Sequence, residues 1–186
     1  MTLICEQSLK LWADEAVKIP VWAPTMFPPS RYYRFLQVLA RELRPALSVE
    51  LGVCGGGGSM HLAEGYPQGV VVGVDCSFDH PEQLNYIQSN YSNFTFWLGD
   101  SVADASKVYE KYGAASIVFV DTIHTKERTI EEFNAWLPYM ATNGVICFDD
   151  LLRKEMGDFW NWLPGNKVRL DFLHPTSESG FGVFWK

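Results

Sequence analysis

The sequence predicts an α/β fold: a doubly wound, mostly parallel sheet with helices on both faces and a C-terminal antiparallel hairpin. Short apolar runs alternate with helix-forming stretches, as expected for parallel strands joined by helical crossovers. Four of these runs also end on carboxylates, which are Glu50, Asp75, Asp121 and the pair Asp149 and Asp150. Because open parallel sheets bind ligands beyond the carboxyl ends of their strands, we expect these acids to gather around one site.

The alternation of elements covers the chain after a leading segment. We predict that residues 1–45 form a helical segment that covers the core. Apolar residues recur there at helical spacing, and Pro45 ends the last helix of the segment. The core, 46–150, then reads as strand 47–52, helix 57–65, strand 70–75, helix 81–89, strand 94–98, helix 102–111, strand 115–121, helix 126–140 and strand 144–149. The part 151–186 adds a helix at 155–162 and a hairpin of 168–173 and 181–185 around a turn at 176–180.

Length and charge bound the class of partner. With 186 residues, of which 47% are hydrophobic, the chain suffices for one sizeable core and is too short for two ordinary domains, so 1–186 is expected to be a single domain. The net charge of -7 and a pI near 5.0 leave no basic stripe for phosphate backbones. We therefore expect a small-molecule substrate, with neither nucleic acid nor a membrane surface as partner. A homo-oligomer stays open.

Redox state and location follow from what the sequence lacks. The four cysteines show no C-x-x-C spacing, and three lie in or beside predicted strands, so we expect reduced, buried thiols. The sequence has no pattern of a signal peptide and no apolar stretch of membrane-spanning length. A cytoplasmic location is the resulting expectation.

The turn after the first strand is rich in glycine, with four in a row at 55–58. Glycine lets a backbone turn tightly and approach a ligand, although the stretch is neither a P-loop nor a clean G-x-G-x-x-G. Asp75 follows roughly 20 residues later, at the position from which an acid accepts hydrogen bonds from ribose hydroxyls. The alternative is structural: a flexible turn, with Asp75 as a solvated strand end or a cap.

The loop after the third apolar run could place Asp100 against an adenine amino group. Alternatively, Asp100 or Ser101 could cap the N-terminus of the following helix, and the two roles are compatible.

These motifs, in this order, resemble those of class I S-adenosylmethionine-dependent methyltransferases over about residues 45–150. Residues 49–59 resemble the first motif of that class, 74–75 its ribose-binding acid, and 118–124 and 145–150 the ends of its fourth and fifth strands. The acids at those last two ends are most similar to the metal-dependent O-methyltransferases of the catechol, sugar or macrolide, and cephalosporin-hydroxylase-like types. The resemblance implies a Rossmann-like fold. Two departures are an extra residue in the glycine turn and a tail without an obvious match to catechol-gripping residues.

The resemblance also implies which residues bind. The cofactor S-adenosylmethionine would be held by Glu50, Gly52, Gly56, Gly58, Ser59, Asp75, Asp100, Ser101 and Asp121. A magnesium ion, or another divalent cation, would be held by Asp121, Asp149 and Asp150. Such a cation prefers oxygen ligands and makes a bound hydroxyl more acidic. Without it, three converging carboxylates repel one another, and raised pKa values are then expected.

His124, three residues after Asp121, is the candidate general base, and the two are the predicted catalytic residues. Alternatively, His124 could be a surface or capping histidine, and Asp149 and Asp150 could simply end a strand in contact with solvent and cap the following helix.

Six aromatic residues could form a lid over the methyl acceptor. The alternative is that they pack in the core or form a dimer face. They are Trp22, Phe27, Tyr32, Tyr33, Trp160 and Trp162.

The expected function is therefore S-adenosylmethionine-dependent and divalent-metal-dependent O-methylation of a small hydroxylated substrate. The alternatives are a metal-independent methyltransferase, a non-catalytic cofactor-binding module and, with less support, a dinucleotide-binding oxidoreductase.

Overall fold

The computed structural model of the chain describes residues 4–20, 30–174 and 179–186. Trp22, Phe27 and most of the turn predicted at 176–180 lie outside these residues. The helices are α1 Glu6–Lys18, α2 Arg31–Leu43, α3 Gly57–Gly65, α4 Pro81–Asn90, α5 Ala105–Tyr112, α6 Lys126–Trp136 and α7 Lys154–Trp162. The strands are β1 Leu47–Leu51, β2 Val70–Asp75, β3 Phe94–Leu98, β4 Ala115–Val120, β5 Met140–Asp149, β6 Asn166–Arg169 and β7 Phe181–Trp185.

Several predicted boundaries are wrong. The strand predicted at 144–149 begins four residues earlier, at Met140, and the helix predicted at 102–111 begins three residues later, at Ala105. The helix predicted at 126–140 ends at Trp136, and a 3-10 turn follows at Leu137–Tyr139. The reason is Pro138, which has no backbone N–H for the helical hydrogen bond and cannot continue the helix. The first strand of the hairpin lies at Asn166–Arg169, and Asp171–Leu173 is a second 3-10 turn, so the predicted strand 168–173 starts two residues too late and ends four too late.

The sheet has seven strands in the order β3-β2-β1-β4-β5-β7-β6. The first five pair in parallel, while β7 pairs antiparallel with both β5 and β6. The predicted mostly parallel sheet with a C-terminal antiparallel hairpin is therefore confirmed. Since the chain order reverses between β1 and β4, a crevice is expected beyond the carboxyl ends of these two strands.

Helices cover both faces of the sheet, as predicted. On one face, the helices from α1 through α4 pack in an apolar layer that includes Phe119 of β4. On the other face, the helices from α5 through α7 pack in a second layer that includes Val118, the residue before Phe119 in the same strand. Successive side chains of a strand point to opposite faces, so a strand covered on both sides is apolar throughout. No helix among the described residues is long and apolar enough to span a bilayer.

Candidate active site

A cleft of about 280 Å³ lies beyond the carboxyl ends of β1, β2, β3 and β4. Five residues of the predicted cofactor set line it: Gly52, Asp75, Asp100, Ser101 and Asp121. The strand ends that carry them are separated by up to 69 residues of sequence and meet because these strands are parallel. The sequence therefore located this cleft correctly, at the reversal of strand order.

The start of the glycine turn is fixed by close backbone packing. Gly52 has a φ of +81°, and a Cβ there would collide with the carbonyl oxygen of Asp121, so only glycine fits. Two residues on, the backbone N–H of Cys54 donates to Asp75 Oδ2 at 3.0 Å, and the N–H of Ser77 donates to Asp75 Oδ1 at 3.1 Å. These bonds hold the Asp75 carboxylate at the edge of the cleft.

Glu50, Gly56, Gly58 and Ser59 do not line the cleft; they lie in or beneath the turn. Glu50 is 1% exposed, and its Oε2 accepts hydrogen bonds from the Ser59 backbone N–H at 2.7 Å and from the Ser59 hydroxyl. Burial raises the pKa of Glu50 to about 8. A Cβ on Gly58 would collide with this carboxylate, so the carboxylate and the start of α3 are fitted to each other. These four residues therefore hold the glycine turn and the start of α3 in place, and their contact with a cofactor stays a prediction.

Asp100 occupies a capping position and also faces the cleft. Its Oδ1 accepts from the backbone N–H groups of Val102 and Ala103 at 2.9 and 2.8 Å, and its Oδ2 accepts from Arg128 Nη2 at 2.7 Å. The hydrogen bond from Ala103, together with the guanidinium, lowers the pKa of Asp100. The helix N-cap predicted at Asp100 or Ser101 is wrong, because α5 begins at Ala105 with Asp104 as its N-cap, and Asp100 instead caps the turn before the helix. The adenine contact stays a prediction.

Sequence reasoning missed Arg128 and Glu132 of α6, which line the same cleft. Glu132 is fully buried, and it accepts hydrogen bonds from the hydroxyls of Ser101 at 2.6 Å and Thr122 at 2.9 Å. The Nε of Arg128 lies 3.4 Å from Glu132 Oε1. The available signal was the spacing of four residues between the arginine and the acid on one helix face.

A second group of charged residues adjoins the cleft at the ends of β4 and β5. The Nε2 atom of His124 lies 3.1 Å from Asp121 Oδ1 and 3.2 Å from Asp150 Oδ2. Asp149 Oδ1 accepts from the Asp150 backbone N–H at 2.8 Å and lies 2.9 Å from Nε2 of His174. The predicted acids and the predicted base are thus brought together, in what we call the acid–histidine cluster: Asp121, His124, Asp149, Asp150 and His174.

Charge in this cluster is balanced by side chains of the protein. Burial and the nearby Asp149 raise the pKa of Asp121 to about 6, against the opposing effect of His124. Burial alone would lower the pKa of His124, but the hydrogen bond and charge of Asp121 outweigh it, and its pKa is raised. Arg153, whose Nε lies 2.8 Å from Asp150 Oδ2, supplies a permanent positive charge. The raised pKa of Asp121 has burial as its largest cause, and the repulsion expected between converging acids adds a smaller part through Asp149.

The predicted metal ligands are close to one another without forming a metal centre. Within the described ranges, no group of three or more His, Cys, Asp or Glu side chains is arranged to hold a metal ion. The carboxylates instead face His124, His174 and Arg153. Both His124 and Asp150 have left-handed backbones, with φ of 56° and 57°, a conformation that costs energy for residues other than glycine.

Of the predicted aromatic lid, two residues lie near this site. The ring of Tyr32 stacks on His174 at a centroid distance of 4.4 Å, and Tyr33 lies against Gly57 of the glycine turn. Trp160 is buried in the apolar layer on the other face of the sheet, where the core alternative applies. Trp162 contacts Phe159 but is 42% exposed, so it belongs neither to the core nor to a lid over this site.

The expectation of buried thiols is correct for Cys147 and wrong for Cys54 and Cys76, which are exposed and line the cleft. Cys76 directly follows the last residue of β2, and Cys54 lies three residues after the end of β1, so both lie in the loops of the ligand site and not in the core.

The fold and the cleft define a doubly wound α/β protein that binds its ligand at the reversal of strand order. The family described as a methyltransferase domain matches residues 49–151, more than half of the chain, and the chain belongs to this family. The expected relationship to class I S-adenosylmethionine-dependent methyltransferases is thereby confirmed, which favours a methyltransferase over a dinucleotide-binding oxidoreductase. No curated protein sequence matches the chain.

Solved structures share the fold at low sequence identity. Cofactor-bound Rv0187 from MTB has a TM-score of 0.70 at 18% identity, over 95% of this chain and 87% of that chain. An O-methyltransferase from Bacillus cereus in complex with SAH has a TM-score of 0.70 at 16% identity, over 100% of this chain and 94% of that chain. The O-methyltransferase TomG from Streptomyces achromogenes, involved in tomaymycin synthesis and solved with SAM, has a TM-score of 0.66 at 17% identity, over 98% and 91%.

Proposed function

We propose that this chain is an S-adenosylmethionine-dependent O-methyltransferase that acts on a hydroxyl group of a small molecule. The observation that carries the proposal is the position of the acid–histidine cluster, which shares Asp121 with the cleft lined by Asp75 and Asp100. A cofactor and a proton acceptor are thereby adjacent. Two of the structurally similar proteins are O-methyltransferases solved with SAM or SAH, which supports the same chemistry here.

In this proposal the cofactor occupies the cleft. Asp75 accepts hydrogen bonds from the ribose hydroxyls, while Asp100 and Ser101 bound the adenine end. The sulfonium group supplies an activated methyl group and carries its own leaving group, so no covalent intermediate with the protein is needed. The acids around the cleft favour a positively charged ligand over an anionic one.

The protein's part in the reaction is to align the acceptor and to remove its proton. His124, in its neutral form, takes the proton of the acceptor hydroxyl at Nδ1, because its Nε2 faces Asp121 and Asp150. Asp121 and Asp150, at 3.1 and 3.2 Å, orient the ring and stabilise the imidazolium that results. A bound S-adenosylmethionine would supply its methyl carbon to the acceptor oxygen and leave as the thioether, and the protein would contribute chiefly by aligning the two.

A divalent cation is a further part of the proposal, with Asp121, Asp149 and Asp150 as its side-chain ligands. Three carboxylates have the donor chemistry that magnesium prefers, and a bound cation would make an acceptor hydroxyl more acidic. The present arrangement, in which imidazoles and Arg153 face the same carboxylates, favours a second candidate: a methyltransferase that needs no metal. The proton transfer to His124 is common to both.

Calorimetry and a transfer assay test these proposals. We expect calorimetric binding of S-adenosylhomocysteine, and transfer of label from methyl-tritiated S-adenosylmethionine to members of a panel of hydroxylated small molecules. The absence of both binding and transfer would contradict the proposed function. EDTA then separates the candidates: loss of transfer that magnesium restores supports the cation, whereas unchanged transfer supports the metal-free enzyme. The cation would also be excluded if neither Asp149→Ala nor Asp150→Ala changed the metal affinity or the turnover.

A further inference from the structure

Glu132 of α6 is a buried carboxylate whose hydrogen bonds all join parts of the cofactor cleft. It is fully inaccessible to solvent. Its Oε1 accepts from the hydroxyl of Ser101, in the loop after β3, and its Oε2 accepts from the hydroxyl of Thr122, in the loop after β4. Both partners line the cleft. One side chain thus connects two loops that are 21 residues apart in sequence.

The same helix strengthens this connection at two other points. Arg128, one turn before Glu132, donates from Nη2 to Asp100 Oδ2 at 2.7 Å and to the Ser101 hydroxyl at 2.9 Å. Trp136, one turn after Glu132, donates from Nε1 to the backbone carbonyl of Ser101 at 2.8 Å. Three successive turns of α6 therefore hold the loop after β3.

Burial of a carboxylate at this position of the helix costs free energy. Phe133 and Trp136 beside it are buried and apolar, and a charge taken out of water loses its hydration unless polar partners replace it. Burial raises the pKa of Glu132, while the hydrogen bonds from Ser101 and Thr122 oppose that rise. An apolar residue would pack there without this cost but would leave both hydroxyls without their acceptor.

We propose that Glu132 is a positioning residue of the cofactor site, which holds the loop at residues 99–104 in a fixed place relative to the loop that carries Asp121 and His124. The cofactor and the proton acceptor thereby keep a constant separation. The role assigned to the cleft rests on the proposed function, whereas the connection between the two loops does not depend on it.

The test uses a matched pair of variants, Glu132→Gln and Glu131→Gln. Both acids neighbour Arg128 on the same helix, but Glu131 is exposed and its oxygen lies 3.3 Å from Arg128 Nη1. We expect Glu132→Gln to weaken S-adenosylhomocysteine binding about tenfold, as for the loss of charge-assisted hydrogen bonds. Glu131→Gln should leave the affinity unchanged, and circular dichroism should report a folded protein for both.

Hydrogen exchange in the ligand-free protein supplies a readout that needs no cofactor. Glu132→Gln should speed amide exchange in both 99–104 and 121–125 while the sheet stays protected, and Glu131→Gln should change neither loop. Thr122→Val should weaken binding in the wild-type protein and have no further effect when Glu132→Gln is present, because its hydroxyl acts through that carboxylate.

The outcomes separate the two proposals. Unchanged exchange in both loops, or fully additive effects of Thr122→Val and Glu132→Gln, would overturn the positioning role. A wild-type protein that binds no S-adenosylhomocysteine would overturn the proposed function instead, while the exchange measurement would still decide whether Glu132 holds the loops together.

Discussion

The two halves of the candidate active site treat their carboxylates differently. In the cofactor half, Asp75 and Asp100 accept bonds from backbone N–H groups, and Asp100 also faces Arg128. In the acid–histidine cluster the carboxylates face imidazoles and one another, and the pKa of Asp121 is raised. The lowered pKa of Asp100 suits binding by a charged acid, whereas the raised pKa of Asp121 suits proton exchange. Two functions can thus adjoin on one sheet edge.

The largest expected effect comes from His124→Gln, which removes the proton acceptor and leaves the cofactor half intact. Transfer to an accepted substrate should fall by about 100-fold or more, as for the loss of a general base. The affinity for S-adenosylhomocysteine should change little. Initial rates and calorimetry measure the two quantities, with His80→Gln, at an exposed position, as the control. An equal loss of affinity and rate would show that the two halves are not separable in this way.

Gly52→Ala tests the contact where the two halves meet. The new Cβ would meet the carbonyl of Asp121 in a left-handed backbone, so the free energy of unfolding should fall by about 3 kcal/mol. Chemical denaturation measures it, and Gly113→Ala is a matched control because it shares the positive φ but has open space around its Cβ position. Equal destabilisation by both variants would mean that only the backbone angle matters, and not the packing of β1 against β4.

His61 provides a pH test of the support beneath the glycine turn. Its Nδ1 lies 2.8 Å from the Gly57 carbonyl, and burial lowers its pKa to about 4. A depressed pKa means that the neutral ring stabilises the fold above the unfolded-state value near 6.5, and that this contribution is lost as the pH falls towards 4. Between pH 7 and pH 5 the loss should be about 2 kcal/mol.

The measurement compares urea unfolding of the wild type and His61→Gln across this range. The variant should be less stable at pH 7, and the difference between the two proteins should narrow on acidification. A constant difference from pH 7 to pH 4 would contradict the lowered pKa. The comparison is made between proteins because other groups of the wild type, His124 among them, titrate in the opposite sense.

A smaller effect is expected for Asp75→Asn, which keeps the shape of the side chain but removes its charge and one acceptor. Affinity for S-adenosylhomocysteine should fall about tenfold, as for a lost charge-assisted hydrogen bond. The rate at saturating cofactor should stay nearly unchanged, because the acid–histidine cluster is untouched. Asp158→Asn, on the exposed surface of α7, is the control. A fall in the saturating rate would place Asp75 in both halves.

The sequence predicted the strand ends better than the contacts between elements. Runs such as 70–75 and 117–121 carry their own signal, because a buried parallel strand is apolar and its terminal acid follows at once. Glu132 could not be assigned in this way, since its role depends on α6 packing beside two loops that the chain reaches elsewhere. His174 was missed for the same reason: it reaches Asp149 from a tail whose elements have weak patterns.

The position of β7 has a consequence for biosynthesis. This strand pairs with β5 on one side and β6 on the other, so β5 has a free edge until residue 185 has left the ribosome. The nascent chain therefore exposes the unpaired edge of a long strand from the synthesis of β5 until β7 has been added, and chaperone dependence should concentrate in that interval.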